Sequence, residues 1–172
     1  MALDVEPKVQ VKAVELVTAM LRYQPEHLDD PDYELVYRLV FSQGRDVARA
    51  AGEFLTVKML DQDLSEASSI INTGQIERRN HGILLVDLVD FFIESQLPEH
   101  VAYLVDSLIG INPILLDWSA MTQLLTIDRG ALGEGLQNVQ ETILIEIMSS
   151  CVEQAVTGRV PTGRKSSAKV SK

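Results

Sequence analysis

The chain has 172 residues, 46% hydrophobic, 23% charged and only 5% aromatic, with a net charge of −10; that aliphatic content supplies one sizeable core and excludes a disordered polyelectrolyte. The longest apolar run, Gly82 to Val86, is far short of the roughly 18 to 20 residues a bilayer needs, and no basic start followed by an apolar stretch marks a targeting peptide. A single cysteine, Cys151, excludes an internal disulfide and a Cys-based zinc site, so a reducing compartment is expected.

In chain order, Val9, Ala13, Leu16, Val17, Met20 and Leu21 recur at three- and four-residue steps and predict an amphipathic helix over 8–23, closed by Pro25. Asp30 followed by Pro31 reads as an N-cap, opening a helix that carries Tyr33, Val36, Tyr37 and Val40 and ends near Gly44. A third helix has Val47, Ala50, Ala51, Phe54 and Leu55 as its stripe and ends near Leu60, with Ala51 and Gly52 small enough for a close helix approach. From 61 to 81 the pattern dissolves into Ser, Asn, Gly and charge and reads as a long loop with one helical turn at most. Ile83 to Ser95 is apolar on more than half its circumference and should be central. Pro98 with Glu99 opens a fifth helix ending at Gly110, and Asn112 with Pro113 opens a sixth through Leu125. Gly130 to Gly135 reads as a linker, and Val139, Ile143, Leu144, Ile147, Met148, Val152 and Ala155 mark a long final helix. No run alternates as a strand does, so the chain is expected to be all-α.

Sliding the first helix onto the third by 38 residues superposes Val9 on Val47, Ala13 on Ala51, Glu15 on Glu53 and Thr18 on Thr56, with Leu16 on Phe54 and Val17 on Leu55. A period near 40 residues with two helices per unit is the signature of HEAT or armadillo solenoids. The expected architecture is therefore a HEAT-repeat-type α-solenoid fragment of antiparallel helix pairs, 31–43 with 46–60, 83–96 with 98–110, and 112–126 with 136–157. The first helix is then a second-of-pair helix without its partner. Its Val14, Val17 and Leu21 should be left exposed, as in a piece of a longer array.

Residues 158–172 contain Arg159, Arg164, Lys165, Lys169 and Lys172 and no acid, so the tail is +5 and the body −15. The expected organisation is helical repeats over 1–157 and a basic, disordered tail over 158–172, free to touch phosphates. Elsewhere the chemistry is bland. His27, His81 and His100 are scattered, with His100 read as a surface residue, and none suggests a metal site. Gly158, Gly163, Lys165 and Ser166 imitate a phosphate loop, but Arg164 displaces the lysine by one position and no strand precedes it. The acid pairs Asp29/Asp30 and Asp87/Asp90 fit capping and a solvated strip. Ser149 and Ser150 have no nearby base, and Trp118 and Tyr103 fall within apolar stripes as core residues. No catalytic, cofactor or metal residue is expected, and an enzyme is not.

Several segments resemble the stromalin (stromal antigen) family of cohesin subunits: Glu34 to Phe41 with Val47 to Leu55, Phe91 to Leu108, Leu115 to Leu125 and, in the same order, Ile143 to Met148. The resemblance implies a non-catalytic HEAT-repeat protein that binds the α-kleisin of cohesin, and through it the ATPase ring. It also implies DNA contact and support of sister-chromatid cohesion in the nucleus. Family members are several times longer, and of their more basic segment the stretch 61–80 keeps only Arg78 and Arg79. The candidate nucleic-acid contacts are therefore Arg78, Arg79, Arg159, Arg164, Lys165, Lys169 and Lys172, giving weak binding for this acidic chain alone. The alternative is a HEAT-type interaction adaptor without a chromatin role, which would share the 38-residue repeat but not the segment from Glu94 to Leu108.

Overall fold

A computed structural model describes residues 6–67, 73–97, 100–126 and 135–165, the side chains of 61–80 left aside. The elements are α1 (Pro7–Tyr23), a 3-10 turn (Pro25–His27), α2 (Asp30–Leu39), α3 (Arg45–Ala67), α4 (Thr73–Glu94), α5 (Val101–Leu108), a second 3-10 turn (Pro113–Leu116), α6 (Trp118–Thr126) and α7 (Asn138–Thr157). Among the described residues the only pairing of extended backbone is one isolated parallel bridge, Gly44 to Lys165. The chain is all-α.

Two layers result. α1 packs on α3, α3 on α5 and α5 on α7, so the odd-numbered helices stand in single file. α2 rests on α3, while α4 rests on α6 and α7, forming the second layer. Aromatic rings join the layers: Tyr37 lies edge-on to Phe54 of α3 at 6.0 Å and to Phe91 of α4 at 5.3 Å, and Phe41 stacks on Phe91 at 6.2 Å. The core runs along this seam, from Val14 and Leu21 through Phe54, Leu85, Leu88 and Phe92 to Leu104, Leu144 and Ile147. This is the stacked arrangement of an α-solenoid, in which each helix buries a stripe against the next repeat.

Local signals account for the helix ends. α2 starts one residue earlier than Asp30 suggested: Asp29 is the N-cap, and the Asp32 carboxylate accepts its backbone N–H at 3.3 Å. Acids in this first turn complement the helix dipole. α7 stops at Gly158, whose φ of 62° is the left-handed cap geometry glycine adopts freely, with its N–H donating to the Gln154 carbonyl at 2.8 Å.

Within α1, α3, α4 and α6 the sequence reading fails at three places. The expected loop over 61–81 is helical at both ends, because α3 continues to Ala67 and α4 begins at Thr73. Polar residues such as Gln, Glu and Arg are good helix formers, so losing an apolar stripe does not end a helix. The expected single helix over 112–126 is broken. Asn112 Oδ1 accepts the Ile114 N–H at 3.2 Å to start the 3-10 turn, and Asp117 then restarts the chain as α6 by accepting the Ala120 N–H at 3.0 Å. In α1, Val14 and Leu21 are buried against α3 and Val17 is half-buried against the core, and the exposed apolar residues are instead Val9, Leu16 and Tyr23. Pro98, Glu99 and all of the glycine-rich linker before Gly135 lie outside the described residues.

Candidate functional site

The most constrained polar site is built around Asp106 in α5. This short helix buries Val101, Leu104, Val105 and Leu108, and Asp106 sits among them only 1% exposed. A lone carboxylate in such a place must be paired. Arg45, in the first turn of α3, grips it with Nε at 3.1 and 3.2 Å from the two oxygens and Nη2 at 2.8 Å from Oδ1. Arg164 Nη1 donates to Oδ2 at 2.8 Å, and Gln154 of α7 donates to Oδ1 at 2.5 Å. One carboxylate thus ties α3, α5, α7 and the segment after α7 together.

Two guanidinium groups on one carboxylate leave an excess positive charge, which the end of α2 absorbs. Arg164 Nη2 donates to the Val40 carbonyl at 2.7 Å and Nε to the Ser42 carbonyl at 3.3 Å. These are carbonyls at the negative end of the α2 dipole, where a cation is favoured. The Arg164 guanidinium also lies over the Tyr103 ring, 4.6 Å from its centroid. Burial pulls the Arg164 pKa down, opposed by the hydrogen bond to Asp106; arginine remains charged across the accessible pH range. Burial pushes the Asp106 carboxyl up, but the hydrogen bonds from Arg45 and Arg164 outweigh it and hold the group below its ordinary value.

Residues 158–165 therefore form a strap, and the expected disordered tail is corrected over this stretch. The Tyr103 hydroxyl donates to the Thr162 carbonyl at 3.0 Å. Gly163, with φ 89°, passes so close that a Cβ there would meet the Tyr103 oxygen at 2.6 Å. Lys165 N–H donates to the Gln43 carbonyl at 2.7 Å, and Arg45 N–H returns a bond to the Lys165 carbonyl at 3.1 Å. The glycines that imitated a phosphate loop thus serve a helix cap and a close crossing.

A second polar contact joins α4 to α6. His81 Nδ1 lies 2.7 Å from Asp117 Oδ2, while the other Asp117 oxygen caps α6. The His81 hydrogen bond, followed by the Ala120 N–H, holds the Asp117 carboxyl below its ordinary value. Asp90 of α4, read as part of a solvated strip, accepts from Gln140 Nε2 of α7 at 2.7 Å. His100 is half-buried and edge-on to Tyr103 at 5.1 Å, not a surface residue, and its Nδ1 has no partner among the described residues. The Cys151 thiol is fully buried and pushed up to about 12 by desolvation, which makes it a core residue and a poor nucleophile.

The candidate phosphate contacts scatter. Arg164 is withdrawn from solvent and committed to Asp106, so it is corrected from tail contact to internal clamp. Arg159 and Lys165 are exposed. Lys169 and Lys172, and the side chains of Arg78 and Arg79, lie outside what the structure describes. No described helix is long and apolar enough to cross a membrane. Among the described residues no group of three or more His, Cys, Asp or Glu is placed to hold a metal ion. An open depression of about 470 Å³ beside α6, lined by Trp118, Ser119, Thr122, Gln123 and Thr126, carries no ionisable group.

Sequence reasoning missed Asp106, although a signal was there: it is the single acid in an eight-residue apolar helix that contains no cation of its own. Such a residue predicts a basic partner from elsewhere in the chain.

Comparison with known proteins follows the same segments. The family described as cohesin subunit SCC3/SA, HEAT-repeats domain, matches residues 103–172, the stretch that holds most of α5, then α6, α7 and the strap. Cohesin subunit SA-1 of Xenopus laevis is 41% identical over 165 residues, covering 95% of this chain and 13% of that protein. Cohesin subunit SA-3 of Homo sapiens is 39% identical over 168 residues, and cohesin subunit scc-3 of Caenorhabditis elegans 35% over 164, each covering 95% of this chain and 13% and 14% of the relative. The chain spans about one eighth of the length of these relatives. Its two-layered helices and nearly its whole sequence place it in the stromalin (SCC3/SA) family of cohesin subunits.

Proposed function

We propose that the chain acts as a non-catalytic HEAT-repeat component of cohesin, binding the α-kleisin subunit and through it the ATPase ring, at chromosomes in the nucleus, in support of sister-chromatid cohesion. The observation that carries this reading is the similarity along 95% of the chain to several cohesin subunits, including across Glu94 to Leu108. That coverage favours the cohesin reading over a HEAT-type adaptor without a chromatin role. The polar sites agree with a scaffold. Asp106 and Arg164 are paired with one another and Asp117 caps a helix, which are structural uses of these groups. The test is co-purification of the full chain with an α-kleisin. Co-elution is expected, and a kleisin that elutes alone would remove the proposal.

DNA contact is a second, weaker part of this reading. With Arg164 committed internally, the tail offers Arg159, Lys165, Lys169 and Lys172, with Arg78 and Arg79 secondary. Four phosphate contacts correspond to a log–log salt slope of about −3 to −4. The acidic body makes the affinity micromolar or weaker at physiological salt. Truncation after Thr157 is a poor test, because it also strips Arg164 from Asp106. Replacing the four tail cations with glutamine leaves the clamp intact, and duplex binding should then fall at least tenfold; unchanged binding would move the site to the helices.

A further inference from the structure

We infer that α2, α3, α5 and α7 build an arginine-binding slot that exists without the strap, that Arg164 fills it as a ligand in cis, and that an extended Gly-Arg segment supplied in trans can replace it. Every acceptor belongs to the helices and their ends. Asp106 Oδ2 of α5 and the Val40 and Ser42 carbonyls that close α2 take the guanidinium, and the Tyr103 ring forms its floor. Charge argues that the slot survives emptying. With Arg164 in place two guanidinium groups share one carboxylate; when it leaves, Asp106 keeps Arg45 and Gln154, a neutral pair and not an orphaned charge. The strap is also lightly held, since Arg164 is the only buried residue of 158–165. Among the described residues its other ties to the helices are the Tyr103 bond to the Thr162 carbonyl and the backbone bonds of Lys165 with Gln43 and Arg45.

The slot selects its ligand. Its acceptors are spread around the rim of a planar group, 2.8 Å from Nη1, 2.7 Å from Nη2 and 3.3 Å from Nε, with the ring centroid 4.6 Å from its central carbon. A lysine ammonium, a point donor, cannot reach all of them. The residue before the arginine must be glycine, because φ is 89° at Gly163 and a Cβ there would lie 2.6 Å from the Tyr103 oxygen. The residue after it must carry an N–H, which Lys165 donates to the Gln43 carbonyl at 2.7 Å, so proline is excluded. The ligand is therefore Gly-Arg followed by any residue but proline, in extended backbone that can form the parallel bridge to Gly44. Binding in trans displaces the strap and releases the exposed Arg159 and Lys165 with it, so occupation of the slot sets where these cations can reach.

The test titrates the full chain, as parent and as Arg164→Ala, into a fluorescently labelled, end-capped peptide with the sequence of residues 160–165, followed by anisotropy. The emptied slot should bind it saturably with a Kd of about 0.1 mM, and the parent about tenfold more weakly, because a tethered strap competes at an effective concentration in the millimolar range. Arg164→Lys or Gly163→Ala in the peptide should each weaken binding at least tenfold. Lack of saturation with Arg164→Ala at roughly 1 mM overturns the proposal, as does equal affinity of parent and variant, or a lysine peptide that binds as well as the arginine one. An Arg164→Ala chain that loses its helical circular dichroism also overturns it, since the slot would then depend on the strap. Hydrogen exchange on the parent chain checks detachment without any variant. The Lys165 amide should exchange at least tenfold faster than the Ile109 amide, which donates to the Val105 carbonyl of α5 at 2.8 Å. Equal rates would mean that the strap leaves only when the whole chain unfolds, and the latch would be ruled out.

Discussion

α1 and α3 share a register and a residue pattern, and their matched positions have opposite fates. Val47 and Phe54 are buried, Phe54 beneath the Tyr33 and Tyr37 rings of α2, while Val9 and Leu16 are exposed. The register extends to α7, 97 residues beyond α3, where Leu144 and Cys151 take the positions of Val47 and Phe54 and are equally buried. The next stripe round behaves differently. Ala48, Leu55 and Met59 of α3 are covered, but their α7 counterparts Ile145, Val152 and Val156 are exposed. One helix type therefore occurs in three settings. Among the described residues the interior copy is covered on both stripes, and α1 and α7 are each uncovered on a different side. A repeat in the sequence reports where helices could pack, and the neighbours decide which of those stripes are buried.

The sharpest way to break this comparison is to truncate the same position in two helices. Phe54→Ala removes a fully buried ring and should cost about 3 to 5 kcal/mol, whereas Leu16→Ala should cost under about 1 kcal/mol. Urea unfolding of both variants measures the difference. Equal midpoints would mean that α1 is covered in solution.

The clamp on Asp106 should be nearly as costly to open, since Asp106→Asn leaves two guanidinium groups without their carboxylate. A loss of about 3 kcal/mol is expected, at the lower end for broken buried pairs because the amide still accepts one bond. This variant also tests the pH dependence. Asp106 and Asp117 are held below the ordinary carboxylate value of 3.8 in the folded chain. The unfolded state then binds protons first, so their contribution is fully present above that value and is lost as pH falls through the folded pKa. Acid unfolding monitored by circular dichroism should show a shallower limb in Asp106→Asn than in the parent chain.

A smaller effect separates α1 from α3 at their matched positions 14 and 52. Val14 is buried against α3, but α3 has glycine there because the Ser107 carbonyl of α5 would lie 2.4 Å from a Cβ. Gly52→Ala should therefore destabilise by about 1 to 3 kcal/mol, despite alanine's better helix propensity. A gain in thermal midpoint would show that α5 can retreat without cost.

Much of this was legible in the sequence, for reasons particular residues make plain. Apolar spacing placed α1, α3 and α7, and the 38-residue offset revealed the stacking, because burial in a helix repeats with the helical period. Gly52 was read as a close-approach position, and α5 does approach it. What periodicity could not supply was anything decided by a distant partner. The strap was unreadable because a basic tail with little apolar content gives no packing signal, and Arg164 becomes buried only by meeting Asp106, 58 residues away. The length of α3 was misjudged because its last turns carry no stripe, and the break at Asp117 because a capping side chain looks like any surface acid. In α1 the stripe was found, but which flank faced α3 depended on the neighbour and not on the stripe.

The smallest effect is expected at Val152, and it tests the outer face of α7. Val152 is 45% exposed and its counterpart Leu55 only 3%. Replacing Val152 with glutamine gives up roughly half a side chain of burial, on the order of 1 kcal/mol. It also exchanges a β-branched residue for a better helix former, which returns about 0.3 kcal/mol, and the new amide stays in water. The net change should lie within about 0.5 kcal/mol of zero. Leu55→Gln instead places an amide among Phe54, Met59 and their neighbours, where it loses apolar contact and must leave its donors without partners, at several kcal/mol. Parallel urea titrations should therefore leave the Val152→Gln midpoint in place and shift that of Leu55→Gln far down. A Val152→Gln chain that unfolds as early as the Leu55→Gln chain would mean that the last stripe of the stack is covered in solution, so that α7 belongs with α3 and not with the open end represented by α1.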